Sequence, residues 1–347
     1  MRKVWDWKIF LAILAIGAIS LLVIFSLNKS LFQNQLFFWI LGIGVLWFFS
    51  YFDYKAWPKI SPAFYIFTLF LLIVLFVFGE ATRGSVRWFD IGPFRLQPSE
   101  MSKAATVLLL ASFFKDRDGS KIINVFLGFL LISPALVLIL AQPDLGNALA
   151  FIAMWIGISI SAGFRIKDLV AVAVLGLLLS VLLFQVLAPY QKDRILTFFD
   201  PARDPLGTGY HIIQSKIAVG SGQFLGKGLG NSTQSQLKFL PEAESDFIFA
   251  ATSEQLGFLG AGLLISLFSF LLLQILNLAS KFESYTRHIL IGIFSFLSLQ
   301  FLVNVGMNLG LLPVTGITLP LASYGGSSLI TTLFLLSFVF SIKRFNI

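Results

Sequence analysis

The sequence is 347 residues long, 57% hydrophobic and only 12% charged, with a formal net charge of +8. A soluble domain carries about twice that charged fraction, so the composition excludes a water-soluble globular protein. The absence of cysteine excludes disulfides, thiolate nucleophiles and zinc ribbons, and His211 and His288 are too few and too far apart for a histidine metal cluster. Any metal would sit on carboxylates or on substrate phosphates.

Apolar runs of about 17 to 25 residues recur along the chain, each long enough to cross a hydrocarbon core about 30 Å thick. They predict ten spans, near residues 8–27, 35–53, 61–79, 98–114, 121–141, 145–163, 167–188, 246–278, 286–311 and 322–342. The expected fold class is all-α, a polytopic membrane helix bundle of about ten transmembrane helices with one long extracytoplasmic loop between spans seven and eight. In domain terms, residues 1–188 hold helices one to seven, 189–245 the loop with an amphipathic segment, and 246–347 helices eight to ten. The first run follows Arg2, Lys3 and Lys8 as a signal peptide would, but it is too long and no small-residue cleavage site follows. It reads as a retained span.

Ten spans place both termini on one side. With the termini in the cytoplasm, fourteen of the 25 lysines and arginines fall in inner segments and five in short outer ones, which favours that orientation. The remaining six, Lys192, Arg194, Arg203, Lys216, Lys227 and Lys238, lie in the long loop. Long loops are exempt from the charge rule, and an outer surface with these cations also suits an anionic headgroup or phosphate. Both readings stand on composition.

A loop of nearly sixty residues is functional or disordered, and this one is not low-complexity. Ile195, Phe198, Phe199, Tyr210, Ile212, Ile213 and Phe239 give it apolar material to pack, and Pro205 to Val219 reads as a short amphipathic helix lying in the interface. The glycines from Gly220 to Gly230 lack the strand and helix that frame a nucleotide loop, so they read as a structural turn.

Ionisable residues within or at the lip of a span are functional candidates, here Glu100, Asp144, Asp246 and Glu254. Glu100 and Lys103, three residues apart, share a helical face as an ion pair, either a structural bridge or a substrate contact. Asp144 and Asp246 open the sixth and eighth spans, where an acid is commonly a helix cap. Gln300, Asn304 and Asn308 form a polar stripe facing the bundle interior, and Pro313, Gly316, Pro320, Gly325 and Gly326 interrupt the last two spans. Broken backbone at that depth is tolerated where it lines protein or water, so the features suit either helix packing or a polar cavity.

Five tracts, in order, resemble the SEDS family (shape, elongation, division and sporulation proteins): GPFRLQPSE at Gly92–Glu100, QPDLG at Gln142–Gly146, RILTFFDPARDPLGTGYHIIQSKIAVGSG at Arg194–Gly222, LPEAESDFIFAATSEQLGFLG at Leu240–Gly260, and NVGMNLGLLPVTGITLPLASYGGSS at Asn304–Ser328. The YHIIQSK and TQSQL segments are more similar to the RodA elongation branch than to the FtsW division branch. Glu244 and Ser245 stand where the family usually has His and Thr, and Asn147 stands where Thr or Ser is common.

The resemblance implies a peptidoglycan glycosyltransferase of the bacterial inner membrane that polymerises lipid II, the undecaprenyl-diphosphate-linked disaccharide pentapeptide. It implies a class B penicillin-binding protein transpeptidase as partner, beside other elongation-complex membrane proteins, and no nucleic acid. Asp246 matches the family's essential aspartate, while Trp88, Glu100, Lys103 and Asp144 match positions tied to its activity. An attacking sugar hydroxyl needs a base, and Asp246 at the lip suits it, because partial desolvation raises a carboxylate's proton affinity. The departing diphosphate needs positive charge, with Lys103, Arg194, Arg203 and Lys238 preferred in that order. A divalent cation such as Mg or Mn is the one cofactor left open. The rival readings are a flippase for lipid-linked precursors and a non-catalytic scaffold; coupling charges near the midplane and internal repeats would favour a flippase, and neither is clear in the sequence.

Overall fold

The computed structural model describes residues 5–79, 87–91, 94–165 and 207–346, together with 167, 168, 170, 192, 196, 197 and 200. Its long helices are α1 (Trp7–Leu27), α2 (Lys29–Ser50), α3 (Trp57–Phe78), α4 (Pro98–Phe114), α5 (Ile122–Ala141) and α6 (Leu145–Ser161). After them come α7 (Thr208–Ser221), the one-turn α8 (Thr233–Gln236), α9 (Ile248–Ala279), α10 (Ser284–Asn308) and α11 (Gly326–Asn346). Seven of these are long and apolar enough to cross a membrane, and α6 is a shorter apolar helix. Nine predicted spans coincide with a helix among the described residues, and the all-α membrane bundle stands. The predicted seventh span at 167–188 lies largely outside the described residues. A feature the apolar pattern did not contain is a small antiparallel hairpin, β1 (Phe89–Ile91) with β2 (Phe94–Leu96).

Helices α4, α10 and α11 are buried along most of their length, whereas α2 and α3 turn Phe37, Trp47, Phe67, Phe70 and Phe76 outward. That contrast is expected of a bundle whose outer helices meet hydrocarbon rather than water. Asp6 caps α1 through Lys8 N and Ile9 N and also pairs with Lys343 of α11, so the start of the first helix and the finish of the last lie at the same end of the bundle. The opposite end carries the functional candidates.

At that opposite end α9 is broken. Gly257 adopts φ 66° and ψ −163°, a conformation essentially reserved for glycine, and the helical ladder stops there. The freed groups are paired by the 223–228 loop: Lys227 N donates to Glu254 O at 2.9 Å and Gly228 N to Gln255 O at 3.0 Å. Phe258 N and Leu259 N in turn donate to Gln223 O (2.8 Å) and Phe224 O (3.2 Å). The two backbones approach so closely that a Cβ on Gly257 would lie 2.2 Å from Gly226 N. The glycine tract is thus a turn fitted into a break in a helix.

Glu254, one of the intramembrane carboxylates of the sequence, closes the same junction. Its side chain is fully buried and accepts from Thr233 N (2.9 Å), Gln234 N (2.9 Å) and Ser235 N (3.0 Å), the open amides at the start of α8, and from Lys227 Nζ (3.1 Å). Charge-assisted bonds to several backbone amides are among the stronger contacts available to a carboxylate. Glu254 therefore fastens the loop to α9.

Candidate active site

Two carboxylate-bearing turns meet at this end of the bundle. The first follows α5, where Asp144 caps α6 by accepting from Asn147 N at 3.2 Å. The same carboxylate accepts from Asn147 Nδ2 (2.8 Å) and Gln97 Nε2 (3.4 Å). Asn147 Oδ1 then takes Lys103 Nζ at 2.9 Å, and Lys103 Nζ also donates to Glu100 Oε1 at 2.7 Å. Pro98 at the start of α4 lacks only an amide that would be unpaired there, and the helix sets Glu100 and Lys103 on one face. The chain Glu100–Lys103–Asn147–Asp144 is buried from end to end, with the Lys103 ammonium 5.1 Å from the Phe296 ring centroid. Arg87 fixes the approach to it, donating to Gln142 O at 3.0 Å and to Pro143 O, and so holds the partly exposed Trp88 next to the Asp144 turn.

The second turn, residues 242–247, precedes α9. Ser245 N and Phe247 N both donate to Glu242 O, at 3.1 Å each, and Asp246 stands one residue before the α9 cap position, Phe247. Three successive carbonyls are held from outside: Glu244 O by Tyr324 N (2.8 Å), Ser245 O by Ser323 Oγ (2.6 Å), and Asp246 O by Asn304 Nδ2 (2.9 Å) and Asn308 Nδ2 (3.0 Å). The Asp246 side chain is partly exposed, and its Oδ2 lies 3.6 Å from where a Cβ on Gly316 would be. Asp246 is not the helix cap that its place in the sequence suggests, whereas Asp144 is.

Both turns pack on one stretch of the non-helical segment between α10 and α11. A Cβ on Gly146 would come within 2.5 Å of Ile317 Cγ1 and 3.0 Å of Thr315 O, while Gly316 between them faces Asp246. That segment is anchored by Gln35 of α2, whose amide nitrogen donates to Ser323 O at 3.1 Å and whose amide oxygen accepts Gly325 N at 3.2 Å. The interruption around Pro313, Gly316 and Pro320 therefore forms a floor shared by the two carboxylate turns.

The structure brings Trp88, Glu100, Lys103, Asp144 and Asp246 to this end. It changes the place of Lys103: the preferred diphosphate partner from sequence is fully buried and its ammonium is engaged by Glu100 and Asn147. Glu100 is likewise buried against it instead of facing an open surface. Lys238 is exposed, with no ion pair among the described residues. Arg194 and Arg203 lie outside the described residues. Among the described residues no three histidine or acidic side chains converge, and Lys103 and Asn147 sit between the two buried carboxylates where a cation would have to go.

Sequence reasoning passed over Asn147, noted there only as a departure from the family pattern, and Arg87, counted only as a charge. The i,i+3 spacing of Asp144 and Asn147, matching that of Glu100 and Lys103, is the signal that could have found the bridge. Arg87 has no such signal, because it binds main-chain carbonyls far along the chain.

The comparisons with known proteins agree on the kind of protein that carries this site. The FtsW/RodA/SpoVE family model, described as a cell cycle protein, matches residues 4–347. The peptidoglycan glycosyltransferase MrdB of Escherichia coli (strain K12) is 40% identical over 280 residues, covering 80% of this chain and 75% of that protein. Stage V sporulation protein E of Bacillus subtilis (strain 168) is 37% identical over 322 residues, covering 90% and 87%. Among solved structures, a chain from work on the structural coordination of polymerization and crosslinking by a peptidoglycan synthase complex is similar with a TM-score of 0.86, 33% identity and 99% coverage of both chains. The Thermus thermophilus rod shape determining protein RodA is similar with a TM-score of 0.74 and 27% identity, covering 98% of this chain and 97% of that one.

Proposed function

The chain belongs to the FtsW/RodA/SpoVE family, and on that premise we propose that this membrane peptidoglycan glycosyltransferase polymerises lipid II for cell elongation, with Asp246 as general base. The observation that carries the reading is the grip on Asp246: four donors hold three consecutive carbonyls of its turn while its carboxylate reaches the floor segment at the bundle's end. A side chain held through its own backbone is pre-positioned for proton transfer.

In the proposed step the 4-hydroxyl of one N-acetylglucosamine attacks the anomeric carbon of a second substrate's N-acetylmuramic acid. Asp246 takes the hydroxyl proton, the new glycosidic bond forms with inversion, and the bond to undecaprenyl diphosphate breaks, the electron pair leaving with the diphosphate. Positive charge at the departing group comes from the loop, with Lys238 an exposed candidate and Arg194 and Arg203 earlier in the same loop. Trp88 offers an aromatic face beside the Asp144 turn, and the Glu100–Lys103–Asn147–Asp144 chain keeps that wall rigid. A class B penicillin-binding protein is the proposed partner, and the site faces the extracytoplasmic side of the inner membrane.

The test is purified full chain with its cognate partner and lipid II in detergent, read as glycan polymer on a gel. Detergent abolishes flipping but permits polymerisation, so polymer supports catalysis and none from a competent preparation favours a flippase or scaffold. Polymer made equally well by Asp246→Ala removes Asp246 as the base.

A further inference from the structure

Asn304 and Asn308 lie one turn apart on α10, both fully buried, and every amide hydrogen they own has an identified acceptor. Asn304 Nδ2 donates to Asp246 O (2.9 Å) and to Ile317 O (2.7 Å). Asn308 Nδ2 donates to Asp246 O (3.0 Å) and to Asn304 O (2.8 Å), while its Oδ1 accepts Ala250 N (3.0 Å) in the first turn of α9. A carbonyl oxygen has two lone pairs, so the two asparagines saturate Asp246 O. Asn304 also ties that carbonyl to Ile317, neighbour of the Gly316 that faces the Asp246 carboxylate.

We infer that Asn304 and Asn308 are positioning residues for the transfer, setting where the Asp246 carboxylate stands over the 315–317 floor. Ordinary helix-to-helix hydrogen bonding does not account for the pattern, because the shared acceptor is the main chain of the proposed base and not a neighbouring side chain. Asn304 spans two acceptors on separate segments, so its amide fixes the separation of the Asp246 turn from the floor. Asn308 fixes the same carbonyl relative to the start of α9. The inference rests on Asp246 acting as base.

Rates with lipid II are measured for the full chain with its partner, normalised to folded protein by thermal melting, in wild type, Asp246→Ala, Asn304→Ala and Asn308→Asp. Asn308→Asp keeps an oxygen for Ala250 N at a helix start, where negative charge is tolerated, and replaces the donors to Asp246 O and Asn304 O by a charged oxygen, which gives a second reading, also taken per folded protein, where Asn304→Ala does not fold. Misplacing a reacting group by about 1 Å costs on the order of 100-fold, so kcat is expected to fall about 10- to 100-fold in both variants with KM within about twofold of wild type. Asn308→Asp also places a like charge near Asp246, which moves the acidic limb of the kcat–pH profile upward. Wild-type kcat and an unmoved limb in Asn308→Asp, or a loss carried by KM, overturn the inference. If Asp246→Ala itself keeps polymerising, the base assignment fails instead.

Discussion

The two carboxylate turns at the end of the bundle are built in opposite ways. Asp144 is held by its side chain: three donors reach its carboxylate, and a buried ammonium and a second carboxylate follow behind them. Asp246 is held by its main chain, with amides from α10 and the 323–324 turn closing on successive carbonyls of its own turn. A group whose side chain carries structure cannot be replaced without disturbing its neighbours. One whose carbonyls are gripped by other segments keeps those bonds when its side chain is changed, so the proposed base and the wall differ in how they are held.

The sharpest way to break that comparison is to remove each carboxylate's defining contact. Asp246→Ala is expected to lower polymerisation by about 100- to 10,000-fold, the usual contribution of a positioned base. Its melting transition should move less than that of Lys103→Met, because the four bonds to the carbonyls of residues 244–246 end on main-chain atoms and survive the substitution; a larger drop in thermal stability would show that the carboxylate is structural after all. Lys103→Met should act in reverse. It leaves Glu100 buried without its cation, a change that costs about 3–5 kcal/mol when one partner of a buried pair is removed. Adding Glu100→Gln should recover part of that stability, as a double-mutant cycle in detergent would register.

Next in size comes the loop junction. Gly257→Ala puts a Cβ 2.2 Å from Gly226 N in a backbone conformation that disfavours any side chain, so the 223–228 loop must shift off the break in α9. A strained position of this kind is worth about 1–3 kcal/mol, and limited proteolysis should cut the loop faster in the variant. Unchanged protection would mean that the Glu254 clasp at α8 holds the loop by itself.

How much of this was legible in the sequence follows the range of each interaction. The spans were, because burial in hydrocarbon imposes long apolar runs that need no partner to be recognised. The pairing of Glu100 with Lys103 was, because a helix places i and i+3 together. The break at Gly257 was not: its flanks read as an uninterrupted apolar helix, and what stabilises the break is a loop some thirty residues earlier. The polar stripe of Asn304 and Asn308 was visible as a period, but its meaning lay in carbonyl acceptors 58 and 62 residues away, which no side-chain pattern marks. The hairpin at 89–96 was missed because two three-residue strands are too short to show alternation. The burial of Lys103 and its bond to Asn147 were not legible, because the partner lies 44 residues away on another helix.

The smallest test concerns Asn147, where the resembled family commonly carries Thr or Ser. Asn147→Thr removes the amide donor to Asp144 Oδ2 at 2.8 Å, and with it the Oδ1 acceptor for Lys103. The main-chain bond from residue 147 to Asp144 and the contact from Gln97 remain, and a threonine hydroxyl can accept from the ammonium. One neutral-to-charged hydrogen bond is therefore lost from a network that stays connected, which predicts a cost of about 1.5–3 kcal/mol or less and polymerisation within a few-fold of wild type. A melting curve and an initial rate with lipid II decide it. A collapse of activity as deep as that of Asp246→Ala, without a matching loss of stability, would put the Asn147 amide in contact with substrate and turn the Asp144 side from a wall into half of the reacting site.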